Sequence, residues 1–141
     1  MYEIVYASAA RARMSPDQLA AILAVSRVNN SRLGVTGILL FHEGSFFQVL
    51  EGEQATVEEL YGRIARDPRH DRCAELRKGA IPAPSFSAWS MGFVALDPLL
   101  LTKLVGRHAF TSNGSLRSDA ASVLELLDAF RDGRYRRYIL A

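Results

Sequence analysis

The chain has 141 residues, 49% of them hydrophobic and 23% charged, with a formal net charge of +2. That length supports one domain with a real core, burying roughly two-thirds of its unfolded surface, and that charge gives no electrostatic case for nucleic acid or an anionic membrane as a partner. A single cysteine, Cys73, excludes an internal disulfide and a multi-cysteine zinc site, and His42, His70 and His108 lack metal-ligand spacing.

The opening "MYEIVYASAA" carries no basic n-region and enters a strand pattern at once, so it does not read as a signal peptide. Within it, "YEIVYAS" (2–8) alternates Tyr2, Ile4, Tyr6 and Ser8 against Glu3, Val5 and Ala7, as a first strand does. "MSPDQLAAILAVSRVNN" then opens a helix: Ser15 is the N-cap, Pro16 the first helical residue, and Gln18 completes a capping box. Leu19, Ile22, Leu23 and Ser26 follow at helical spacing, and the helix is expected to end near Asn29 and Asn30.

"GVTGILLF" (34–41) and "SFFQVLEG" (45–52) form a hairpin around Gly44. In the latter strand Phe46, Gln48 and Leu50 share one face, and Phe47, Val49 and Glu51 the other. A second amphipathic helix over about 54–66 turns Val57, Leu60, Tyr61 and Ile64 inward and is stopped before Pro68. Extended runs follow around 74–81 and 88–96, separated by "PAPSFS". From Asp97 onward, "DPLLLTKLVGRHAF" and "SLRSDAASVLELLDAFRDG" read as short helices, the second with Leu124, Leu127 and Phe130 on one face. The basic run "RDGRYRRY" reads as a solvated end. No stretch approaches the ~18 apolar residues that span a bilayer, and a soluble, cytoplasmic protein is expected.

The order is therefore that of an α+β fold, a ferredoxin-like βαββαββ sandwich followed by two helices. Its first and third strands are central neighbours, with the two early helices on one face of the sheet. Phe47 and Val49 require that the other face be covered as well, and the trailing helices are the expected cover.

Polar residues aimed at the helix-covered face carry the functional question. Tyr6 and Gln48 both point there from neighbouring strands, and Asn29 and Asn30 stand at the end of the first helix's inward stripe. Each taken singly is explained as a satisfied core polar group or a helix stop. Converging, they describe a polar-lined slot for a flat heteroaromatic ligand. No GxSxG, P-loop, GxGxxG or Ser/His/Asp set accompanies them. Cys73 reads as a small apolar filler on the fourth strand, Arg63 and Asp67 as a surface ion pair, and His70 as an exposed cap. The residues offer a binding site without a reaction.

The stretches "IVYASAA", "NNSRLGVTGILL", "FFQVLEG", "YGRIARDPRH" and "FSAWSMGF" occur in one order and spacing that resembles the BLUF domains, flavin-binding blue-light sensors, over about residues 2–95. The whole chain is similar to the short stand-alone members, with residues 1–96 as the flavin-binding domain and 97–141 as a helical cap in the same globular unit. The resemblance implies FAD, with FMN tolerated in many members, held between the two helices. It makes Tyr6 the photoactive tyrosine and Gln48 the switching glutamine. Asn29 and Asn30 match the pair on the ring and phosphate side, and Arg63 and Asp67 the contacts to ring edge and ribityl. Ile22 and Ile64 match the residues packing on the ring faces, Ser8 a small polar position, and His70 a ligand near the phosphate. Trp89 and Met91, which alternate onto the same face of the expected fifth strand, match a pair linked to signalling. A downstream effector protein and a homo-oligomer are implied as partners, with no nucleic acid and no membrane.

Residue chemistry suits that role. An amide carries both C=O and NH₂, so a half-turn or tautomerisation of Gln48 reverses its donor and acceptor ends with little change in shape. Tyr6 is a source of an electron and a proton. Two other readings remain open at this point: a flavin-dependent redox enzyme, although no nicotinamide-binding motif is present, and a light-insensitive ferredoxin-like interaction module.

Overall fold

The computed structural model describes residues 1–96, 120–131 and 139. Alternation shapes β1 (Tyr2–Ala10), which buries Ile4 and Tyr6 on one face and Val5 on the other. Helix α1 (Pro16–Leu33) begins on Ser15, whose side chain accepts from the Gln18 N–H while the Gln18 amide answers the Ser15 N–H at 2.8 Å. It runs a turn beyond Asn29 and Asn30, the expected end. Gly34 is the reason: at φ 70° it supplies the left-handed cap, and its N–H bonds the Asn30 and Ser31 carbonyls.

Strands β2 (Thr36–His42) and β3 (Ser45–Gly52) form the hairpin. Their two-residue turn, Glu43 and Gly44, has positive φ at both positions, as the twist of a tight hairpin demands. Then follow α2 (Gln54–Ala65), β4 (His70–Ala80), β5 (Gly92–Ala95) and α3 (Ala120–Arg131). The sheet order is β4-β1-β3-β2-β5. All neighbours are antiparallel except β2 and β5, which run parallel. This is the ferredoxin-like α+β arrangement with one added strand.

Two cores sandwich the sheet. On one face Ile4, Leu39 and Leu50 pack against Leu23 of α1 and Val57 and Leu60 of α2. On the other, Val5, Phe47 and Val49 pack against Leu126, Leu127 and Phe130 of α3. Part of the expected cover is thus α3; the helix expected within 97–110 and the basic tail after Arg131 lie outside the described residues. An ion-pair network ties α3 to the sheet. Arg131 Nη2 pairs with Glu3 Oε2 at 2.8 Å, and Arg77 Nε with Glu3 Oε1 at 3.1 Å.

Two strands differ from expectation. β4 starts at His70, not near 74, and β5 holds only four residues, leaving Trp89 and Met91 ahead of it. The donors of that stretch go elsewhere. The Ser85 and Phe86 N–H groups bond the buried Glu51 carboxylate at 2.6 and 2.9 Å, and the Trp89 N–H bonds Phe86 O at 3.1 Å. Among the described residues no helix is long and apolar enough to cross a membrane.

Candidate functional site

Antiparallel pairing of β1 and β3 sets Tyr6 directly opposite Gln48. The phenol donates to Gln48 Oε1, and Gln48 Nε2 donates to Met91 Sδ at 3.2 Å. The two bonds agree on one amide orientation, since the reverse would set a carbonyl oxygen against a thioether sulfur, two acceptors. Burial pushes the Tyr6 phenol well above its ordinary value of 10.0, and negative charge at Cys73, Tyr61 and Asp67 would push it further. It is neutral at any physiological pH, so its hydrogen stays available to Gln48. The Tyr61 ring of α2 stands 5.1 Å from the Tyr6 ring, centroid to centroid, closing that side.

Above the pair, α1 and α2 frame a cleft in two adjoining lobes. Ile22 from α1 and Ile64 from α2 line both lobes as aliphatic side walls. Gln48, Ser26, Asp67 and Arg69 also border both, while Tyr6 and His70 close the first and Asn29, Asn30 and Arg63 the second. Gln48 keeps one amide hydrogen and one oxygen lone pair beyond its two bonds, and both lobes reach it.

The structure brings ten of the twelve singled-out residues to this cleft or its floor: Tyr6, Ile22, Asn29, Asn30, Gln48, Arg63, Ile64, Asp67 and His70 by lining it, and Met91 through Gln48. Ser8 stands just behind, buried against His70. Asn30 is buried and donates to Ser90 O at 2.8 Å, while Asn29 takes a long bond of 3.4 Å from Arg32.

Three expectations are corrected. Arg63 pairs with Glu59 at 3.5 Å, and Asp67 with Arg69 through Nε at 3.0 Å, so the two do not pair with each other. The helix ends at Ala65, which carries Asp67 off the Arg63 face. His70 is not an exposed cap but buried. Its Nε2 lies against the Ile64 carbonyl, to which it donates, and its Nδ1 stands 2.8 Å from the Ser8 hydroxyl oxygen. Trp89 and Met91 do not share a strand face. Met91 lies in the cleft-side core, whereas Trp89 packs on the opposite core with its ring 6.5 Å from that of Phe86. The turns at 85–91 break the alternation on which that pairing relied.

Residues 1–92 match the family model of BLUF, described as sensors of blue-light using FAD. The chain belongs to the BLUF family. The beta subunit of the photoactivated adenylate cyclase of Euglena gracilis is 35% identical over 85 residues, 60% of this chain but 10% of that protein. The blue light- and temperature-regulated antirepressor BluF of Escherichia coli strain K12 is 34% identical over 88 residues, 62% of this chain and 22% of that one. The chain thus spans a small part of the curated relatives it matches. The solved dark-state structure of BlrB, a BLUF protein, superposes with a TM-score of 0.74 at 30% identity, covering 93% of this chain and 95% of that one. BlsA in its photo-activated state gives a TM-score of 0.74 at 28% identity, over 92% and 94% of the two chains.

In this BLUF chain the donor set fits a flavin. Aliphatic walls suit the two faces of a flat tricyclic ring, and the amides, Asp67 and Arg69 suit an edge that carries both donors and acceptors. Sequence reasoning passed over Arg69, which borders both lobes and holds Asp67 with three side-chain bonds to its carboxylate. Those bonds keep the Asp67 carboxyl at about 2, below its ordinary 3.8. It also passed over Arg27, whose Nε donates to Met91 O at 3.0 Å, and Glu51, whose buried carboxylate anchors residues 85 and 86. Arg69 stood inside the quoted "YGRIARDPRH", and Glu51 inside "SFFQVLEG", where a carboxylate on the apolar face was the available signal.

Proposed function

We propose that this BLUF chain holds FAD in the cleft between α1 and α2 and that Tyr6, Gln48 and Met91 form its light switch. The hydrogen-bonded series from Tyr6 through Gln48 to Met91 carries this reading, because it couples a proton source, a reversible amide and an adaptable thioether in one line. When bound, the flavin supplies the blue-light chromophore and the electron acceptor. Tyr6 gives up one electron and its phenol proton, and Gln48 Oε1 receives that proton. The amide turns or tautomerises before electron and proton return to Tyr6. Its donor and acceptor ends are then exchanged, and the donation to Met91 Sδ is lost. No substrate is consumed, so the product is a conformation.

Asn29, Asn30, Arg63 and Asp67, joined by Arg69, hold the ring edge and the ribityl and phosphate side, with Ile22 and Ile64 on the ring faces. Ser8 and His70 hold the exit of α2 to β1. FAD is favoured over FMN by a groove that continues past Met14 to Arg11 and Arg13, where a second phosphate would meet positive charge. Trp89 and Met91 relay the change, residues 1–96 being the sensor and 97–141 its helical cap. The output reaches a downstream effector protein, with the chain acting as a homo-oligomer in the cytoplasm. That relatives include light-activated cyclases and an antirepressor supports an effector without naming it.

A visible spectrum of the purified protein before and after blue light tests this. The expected protein is yellow, shifts slightly to the red on illumination and reverts thermally. A flavin-loaded protein with no light-minus-dark difference overturns the proposal.

A further inference from the structure

Helix α1 is apolar on both of its sides. Leu19 and Leu23 pack into the cleft-side core and Ile22 lines the cleft. Away from the sheet, the exposed residues from 20 to 28 are Ala20, Ala21, Ala24, Val25 and Val28, without one polar group among them. Val25 and Val28 are two of the three large hydrophobic side chains that stand exposed among the described residues, at 61% and 70%. Residues at this spacing form one stripe along a helix. A surface helix turns charged and polar groups outward, whereas a helix that is apolar all round is a covered one. Charge is confined to the ends of the stripe, with Asp17 in the first turn and Arg32 in the last, both exposed. Arg32 makes a long bond of 3.4 Å to Asn29 within its own turn. The third charged residue of α1, Arg27, is half-buried and donates to Met91 O at 3.0 Å.

We infer that a second copy of the chain docks on this stripe, α1 packing antiparallel against its own image about a two-fold axis between Ala24 and Val25. The inference rests on the homo-oligomer part of the reading above and not on its photochemistry. Such an axis brings Ala24 to Val25 of the other copy, Ala21 to Val28, and Asp17 to Arg32 at both ends. Each valine then meets an alanine, large against small, and the alanines let the helix axes approach to about 8 Å. Each helix end meets the opposite charge, and the two helix dipoles oppose each other favourably. Parallel pairing would set Asp17 on Asp17 and Arg32 on Arg32. A face that served an unrelated protein need not be complementary to itself; this one is. A two-fold contact is satisfied by two copies, so the association closes at a dimer. Helix α1 has 18 residues, a length of about 27 Å. With its flanks it covers less than the roughly 800 Å² per partner of a standard interface, so the dimer is a weak one that dissociates on dilution.

Sedimentation velocity of the full chain in the dark, over about 1–500 μM to bracket a weak interface, decides the matter, since it reads mass and needs no photocycle. The wild type should pass from monomer to dimer within that range. Val28→Glu places a charge on the stripe at an exposed position where Glu suits a helix at least as well as Val. It should raise the dissociation constant by about tenfold or more, with the far-ultraviolet circular dichroism of the wild type retained. Asp17→Arg and Arg32→Asp should each weaken the dimer several-fold by setting like charges together. Both in one chain should restore it, because the two ends have then exchanged sign. A wild type that stays monomeric throughout leaves the stripe to a different protein and overturns the inference and the homo-oligomer reading together. A wild type that dimerises while Val28→Glu dimerises equally well overturns the inference alone. So does a double charge exchange that dimerises no more tightly than its single members.

Discussion

At Gln48 the chain holds an amide in one of two orientations by giving each end a different partner: a phenol hydrogen for the oxygen, a thioether sulfur for the nitrogen. Tyr6→Phe removes the first partner and the proton source together while keeping the ring. The expected variant binds flavin and shows no light-minus-dark absorbance band. Gln48→Leu keeps the bulk and removes both bonds, and the same band should vanish with flavin retained; a normal photocycle in either variant would remove that residue from the switch. Asp67 gives a pH dependence. Its carboxyl sits at about 2 in the folded protein against an ordinary 3.8, so the folded state opposes protonation. The contribution is complete above about pH 4 and is lost as the pH falls through about 2. Urea midpoints should therefore drop below about pH 4 more steeply for the wild type than for Asp67→Asn.

Among the elements, α1 shows how far local rules reach. Its capping box at Ser15 and Gln18 was legible because both members lie within four residues, and both bonds form. Ser15→Ala should lower stability by about 1 kcal/mol, measured as a lower thermal midpoint. Strand faces were legible for the same reason: alternation alone separated Gln48 from Phe47 and set Tyr6 beside it once strand order was inferred. His70 was not legible, because its partner Ser8 lies 62 residues away. Nor was the placement of Trp89. Its segment contains enough apolar residues to read as a strand, but the Glu51 carboxylate, 34 residues upstream of Ser85, takes the N–H groups that a strand would have offered to a ladder. Arg63 and Asp67 were paired on helical spacing, and the helix ended between them. Local periodicity finds elements and faces; it does not find the distant partner that ends or bends an element.

Across the whole molecule, one sheet separates two cores with different duties. The cleft-side core carries polar groups and space; the other, under α3, is filled by Leu126, Leu127 and Phe130. Leu127 is fully buried there, and Leu127→Ala should cost about 2–5 kcal/mol in urea unfolding while leaving flavin uptake intact. A large loss of flavin affinity in the folded variant would show that the two faces are not separable in this way. The central strand β3 belongs to both cores, and its composition has a consequence for folding. Gln48 and Glu51 face opposite sides of the sheet, and each is satisfied only on its own side: Gln48 by Tyr6 and Met91, Glu51 by Thr36, Ser85 and Phe86. A slip of one residue in pairing exchanges the faces of a strand. For β3 it would drive an amide into the hydrocarbon around Leu127 and strand a carboxylate away from its three donors. The two polar groups of β3 therefore also act as a proofreading code, admitting the central strand to the sheet in one alignment.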